Sequence, residues 1–143
     1  MASTISVDTI QGSTTAANVK MPAGSILQTV QTHNTDESTF AANSFSTMFS
    51  CSITPKFSTS KILIVGNGDC ACDGSTTGGI KFARNNTASD GSQTNGTILG
   101  GSASAGIVNF RASNGENIPA TAIYLDSPGT TSAVKYTVLL SRT

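Results

Sequence analysis

Residues 49–65 read FSCSITPKFSTSKILIV, and this stretch decides the fold class. It ends on Ile62-Leu63-Ile64-Val65, the longest run of large apolar side chains in the chain. Four such residues in succession, two Ile and one Val, predict a strand covered on both faces. The run is too short for a buried helix, and Gly66, Asn67 and Gly68 bound it. Before it, Phe49, Cys51 and Ile53 alternate with Ser50, Ser52 and Thr54, the period of a strand with one apolar face. Pro55 fixes its own φ and has no amide hydrogen, so the first strand stops there. The pattern predicts a β-hairpin whose loop is residues 55–60.

Outward from this stretch the same period recurs. Residues 25–32, SILQTVQT, read as the first strand of the body, with Ile26, Leu27 and Val30 facing the core. Phe45 and Thr47 lead into the hairpin. Residues 66–79 read as a loop around Cys70-Ala71-Cys72. Residues 79–84 form a strand with Ile80 and Phe82 inward and Lys81 outward. Residues 85–96 form an exposed loop. A short strand at 96–99 and another at 106–112 follow. Residues 120–125 supply Ile123 and Leu125 to the core. In the last strand Val134, Tyr136, Val138 and Leu140 alternate with Lys135, Thr137, Leu139 and Ser141. Asp126-Ser127-Pro128-Gly129 is a turn, because Asp bonds the backbone ahead, Pro sets φ and Gly takes positive φ. No helix-period segment of ten or more residues occurs. The expectation is an all-β chain: an antiparallel β-sandwich, jelly-roll-like, of seven to nine short strands.

Two units are expected. Residues 1–24 differ from the rest: STISVDTI offers one short strand through Ile5, Val7 and Ile10, and Met21-Pro22-Ala23-Gly24 is a break. This is the pattern of a short extended arm that adds to a neighbouring sheet. Residues 25–143 form the head.

Composition narrows the function classes. Of 143 residues, 37% are apolar and 11% charged, with zero formal net charge. Ser and Thr fill the space that charge usually occupies. Zero net charge favours association, so the chain reads as a component of an assembly. Lys20, Lys56, Lys61, Lys81, Lys135, Arg84, Arg111 and Arg142 are scattered, with no basic stripe for nucleic acid. No apolar stretch of about 18 residues occurs, so no membrane span is expected. No charged start followed by an apolar block marks a signal peptide. Cys51, Cys70 and Cys72 are odd in number and read as small buried side chains of a protein assembled in a reducing cytoplasm.

Chemistry-bearing patterns are sparse. His33 is the single histidine, near Asp36 and Glu37, and no Gly-x-Ser-x-Gly elbow accompanies it. Asp69, Asp73 and Asp90 have no calcium-loop spacing. Gly78-Gly79 and Gly100-Gly101 lack the Lys and helix of a phosphate loop. No catalytic residue, cofactor site or metal site is assigned, and the chain is read as a non-enzyme.

Three segments, MASTISVDTIQG, SITPKFSTSKILIV and YLDSPGTTSAVKYTVLL, together resemble a group of bacteriophage virion proteins, the fibre or appendage proteins of phages with marine and cyanobacterial hosts. The resemblance implies a small β-sandwich head that trimerises, with an N-terminal segment attaching it to other virion proteins. It also implies assembly in the host bacterial cytoplasm and residence in the virion. In such a chain the sequons Asn85-Asn86-Thr87 and Asn95-Gly96-Thr97 stay empty. Host adsorption is the expected role, through a host surface glycan or another receptor. A capsid decoration protein and, from a different class, a lectin-like carbohydrate-binding module are the alternatives. For a homotrimer, Leu139 on the weaker face of the last strand and Ile107 are the expected subunit contacts. Ile5, Val7 and Ile10 are the expected virion attachment.

Overall fold

A computed structural model describes residues 25–35, 44–71, 76–86, 96–101, 106–113 and 115–142. The expected arm, with Ile5, Val7 and Ile10, lies outside the described residues, as do Asp36, Glu37, Cys72, Asp73 and Asp90. The described elements are seven strands: β1 (Ser44–Ile53), β2 (Ile62–Ala71), β3 (Thr76–Arg84), β4 (Thr97–Leu99), β5 (Val108–Ala112), β6 (Asn117–Asp126) and β7 (Val134–Arg142). The protein is all-β, as its period-two patterning requires.

The strands form two antiparallel sheets. The larger is ordered β1-β7-β3-β4, with β5 also paired to β3. β4 and β5 follow one another along the edge of β3 remote from β7. Among the described residues the smaller sheet is β2-β6. One apolar cluster fills the space between them. Ile53, Ile80, Phe82, Leu99, Val134, Tyr136, Val138 and Leu140 come to it from the large sheet, and Cys70, Ala120 and Ala122 from the small one.

The expected hairpin between β1 and β2 does not form. β1 pairs with β7 and β2 with β6, so the two strands lie in different sheets. Residues 54–61 arch between the layers, closed by Ser60 N–H donating to the Phe57 carbonyl at 3.0 Å and Phe57 N–H donating to Ser60 Oγ at 3.2 Å. Pro55 ends β1 as expected, but the turn behind it carries the chain across the core rather than back alongside.

The doubly covered strand is also elsewhere. Tyr136 through Ser141 of β7 are all buried, because β7 lies between β1 and β3 in the large sheet. Val138 and Leu140 face the main cluster. Leu139 is fully buried in a second cluster with Phe45 and Ala83, against Ile98. β2, by contrast, alternates: Ile62, Ile64, Gly66 and Cys70 turn inward while Leu63 and Val65 are exposed. It also runs through Gly66, Asn67 and Gly68 to Ala71, where a loop was expected.

A bulge explains how Phe45 reaches the second cluster. The register of β1 on β7 shifts between Thr47 and Phe49. One extra residue reverses the parity of a strand. Phe49, Cys51 and Ile53 stand opposite Val138, Tyr136 and Val134 of the inner face. Phe45 and Thr47 stand opposite Ser141 and Leu139 of the other face.

Residues 25–35 form no strand, and Ile26, Leu27 and Val30 are exposed rather than in the core. They pair with neither sheet. In the β6–β7 connection Gly129 has φ of 68°, the positive value expected after Pro128.

Candidate functional site

Three places in the described residues combine polar chemistry with burial or a surface that invites contact.

The first is where the two sheets meet. Arg84, the last residue of β3, stands opposite Tyr136 of β7. Asp126 ends β6 in the other sheet. Arg84 Nη1 donates to both Asp126 oxygens, at 3.0 and 2.9 Å, and Tyr136 Oη donates to Asp126 Oδ2 at 2.7 Å. Asp126 and Tyr136 are buried. Burial first, then the bond to Asp126, pushes the Tyr136 phenol far above its ordinary value. The carboxylate is neutralised by the guanidinium, and the phenol is locked in its protonated, donating form. This arrangement ties sheet to sheet.

The second is Lys81. It was expected to face solvent, but it is fully buried. It stands opposite Leu139, and its Nζ lies 3.5 Å from the centroid of the Phe45 ring. Since Phe45 pairs on the far side of β7, the lysine stem crosses β7 over Leu139. Burial lowers the ammonium pKa from 10.5 to about 8. A cation over an aromatic ring recovers part of that desolvation.

The expected subunit contacts have partners inside the chain. Leu139 was placed at a contact for want of an apolar neighbour, and Phe45, Ala83 and Ile98 supply one. Ile107 packs against the main cluster. His33 is exposed in residues 25–35. Asp69 borders a shallow depression of about 120 Å³ lined by Asn67, Gly68, Pro119, Ala120 and Thr121. That volume is well below the roughly 300–1,000 Å³ of small-molecule sites. Among the described residues no three His, Cys, Asp or Glu side chains cluster in a way that could hold a metal ion. Cys51 is half-buried and Cys70 is buried in the main cluster.

The third place is the outer face of the small sheet. In register, Leu63 stands opposite Leu125 and Val65 opposite Ile123. Their exposures are 64%, 55%, 61% and 57% respectively. Ile123 and Leu125 were expected in the core, but Ala120, Ala122 and Tyr124 of β6 face it instead. In β6 the small Ala120 and Ala122 therefore point inward while the larger Ile123 and Leu125 point outward. The reason lies across the core. A Cβ on Gly66 would sit 3.0 Å from Phe82 Cε1 and 3.5 Å from Val138 Cγ2, so the large sheet's side chains already occupy that space. Further along, the outer face becomes polar, with Asn67 opposite Thr121 and Asp69 opposite Pro119. Four large apolar side chains in two cross-strand pairs form a contiguous patch, the kind of surface that marks an interaction site. An unbroken apolar run hides this alternation, so the face was invisible in the sequence until β2 had a partner and a core side.

No family model, curated protein or solved structure matches the chain.

Proposed function

We propose that this chain is a non-enzymatic structural protein of a bacteriophage particle, the β-sandwich head of a fibre or appendage, which works as a homotrimer in host adsorption. The observation that carries the assembly part is the apolar outer face of β2 and β6 on a chain with zero net charge and 11% charged residues. A contiguous apolar face of this kind marks an interaction surface, and so few charges let like chains approach. The phage assignment rests on the three sequence segments that resemble fibre and appendage proteins. The finer fold we assign is a jelly roll. In its favour, β1 pairs with β7, β2 with β6 and β3 with β5, the nesting of one long hairpin rolled up. On this reading residues 1–24 attach the head to other virion proteins.

The test is mass spectrometry of purified particles encoded by the same genome. The chain should be present in several copies per particle, and a chain lacking residues 1–22 should fold yet be missing from them. Absence of the full chain, or normal incorporation of the shortened one, overturns the respective part. Capsid decoration differs only in where an electron-microscopy map would place the density. The lectin-like reading has one observation in its favour: Phe57 is an exposed aromatic on the β1–β2 connection. It predicts glycan binding that Phe57→Ala abolishes.

A further inference from the structure

Among the described residues two groups of large apolar side chains are exposed. One is the face made by Leu63, Val65, Ile123 and Leu125. The other is the segment 25–35, SILQTVQTHNT, which belongs to neither sheet. Its Ile26 is 83% exposed, and Leu27 and Val30 are exposed as well.

We infer that residues 25–35 of one copy lie along the outer face of β2 and β6 of a second copy, with Ile26 and Val30 seated on the Leu63, Val65, Ile123 and Leu125 patch. Four observations on this molecule support the pairing. The segment holds no Asp, Glu, Lys or Arg, and the four patch residues are likewise uncharged, so no charge has to be desolvated. The lengths match: eleven residues at strand spacing span roughly 36 Å, about the length of the ten-residue β2. In an extended segment residues 26 and 30 share a side, because successive side chains alternate. Among the described residues the small sheet has two strands, and the large sheet covers its inner face, so the outer face is the one left to cover. Among the described residues of one chain, Ile26, Leu27 and Val30 stay exposed and nothing covers the four patch residues, so we place the contact between different copies.

The contact is heterologous, a segment on one side and a sheet face on the other. Contacts of this kind close into a ring when the rotation allows, and three copies would each donate one segment and receive one. The inference rests on the self-association in the proposed function and not on the place of the protein in a particle.

The test uses the full chain at micromolar concentration, with size-exclusion chromatography and light scattering. The wild type should run at three chain masses. Ile26→Asp with Val30→Asp should run at one, with an unchanged β circular dichroism spectrum, since both residues lie outside the sheets. A benzophenone amino acid in place of Ile26 then reports the neighbour. In a mixture of isotope-labelled and unlabelled chains, its adducts should join labelled to unlabelled copies at residues of β2 or β6. An assembly that survives the double substitution, or adducts that fall elsewhere or only within one copy, overturns this contact while leaving the assembly reading intact. A monomeric wild type overturns the contact and self-association together, and the particle composition still tests the phage assignment.

Discussion

Replacing Arg84 by Met should destabilise the fold by about 3 kcal/mol, the lower end of the range for breaking a buried ion pair. The lower end applies because the Arg84 side chain is 23% exposed and its charge is partly hydrated. The loss arises because the carboxyl of Asp126, whose side chain is only 8% exposed, loses its cation. Tyr136→Phe removes the 2.7 Å bond to the same carboxylate and should cost about 1.5–3 kcal/mol, the range for a hydrogen bond to an ionised group. The decisive variant is the triple replacement Arg84→Met, Asp126→Leu and Tyr136→Phe. It deletes the charge along with its partners, so it should be more stable than Arg84→Met alone, because an apolar replacement of a buried pair is often neutral or favourable. Urea unfolding followed by circular dichroism at pH 7 and one fixed chain concentration reads all three. The reasoning is refuted if Arg84→Met costs less than about 1 kcal/mol, or if the triple variant is the less stable of the two.

Three further outcomes are expected. The Lys81 ammonium has a pKa of about 8 in the fold against 10.5 ordinarily, so between those values the unfolded chain binds more protons and stability rises with pH. The rise should be about 2 kcal/mol between pH 8 and 10 and absent in Lys81→Met; a flat wild-type profile would contradict it. The measurement stops near pH 10, because the raised Tyr136 pKa stabilises the fold fully below the phenol's ordinary value of 10.0 and that contribution declines above it. Phe82→Ala should cost about 3–5 kcal/mol and Ile64→Ala about 2, since Phe82 is fully buried and Ile64 only half-buried; equal thermal shifts would refute that ranking. Gly106→Ala should cost about 1–3 kcal/mol through overpacking, because its Cβ would lie 2.6 Å from both the amide nitrogen and the carbonyl oxygen of Ile80; unchanged urea unfolding would show that the backbone there yields.

The sequence alone determined the class of structure and the positions of most strands. Period-two alternation around Val134, Tyr136, Val138 and Leu140 and around Ile80 and Phe82 is local information, and in each case those residues lie in the core. Pro55 and Gly129 likewise act through their own backbone, by fixing φ or permitting its positive value. Which strand pairs with which is not local. Ile62 to Val65 is apolar on both sides, so the run could not say that its neighbour would be β6, nor that Leu63 and Val65 would be left outside. The parity of Phe45 depended on a bulge that leaves no mark in composition. Arg84, Asp126 and Tyr136 are 42 and 10 residues apart in pairs, and only the meeting of the two sheets brings them together. Residues 25–32 looked like a body strand because a strand's pattern records its own two faces and not whether another strand pairs with it. Tertiary structure decided these points for one physical reason: burial is a property of what lies opposite, and the residues opposite come from elsewhere in the chain, or from another copy of it.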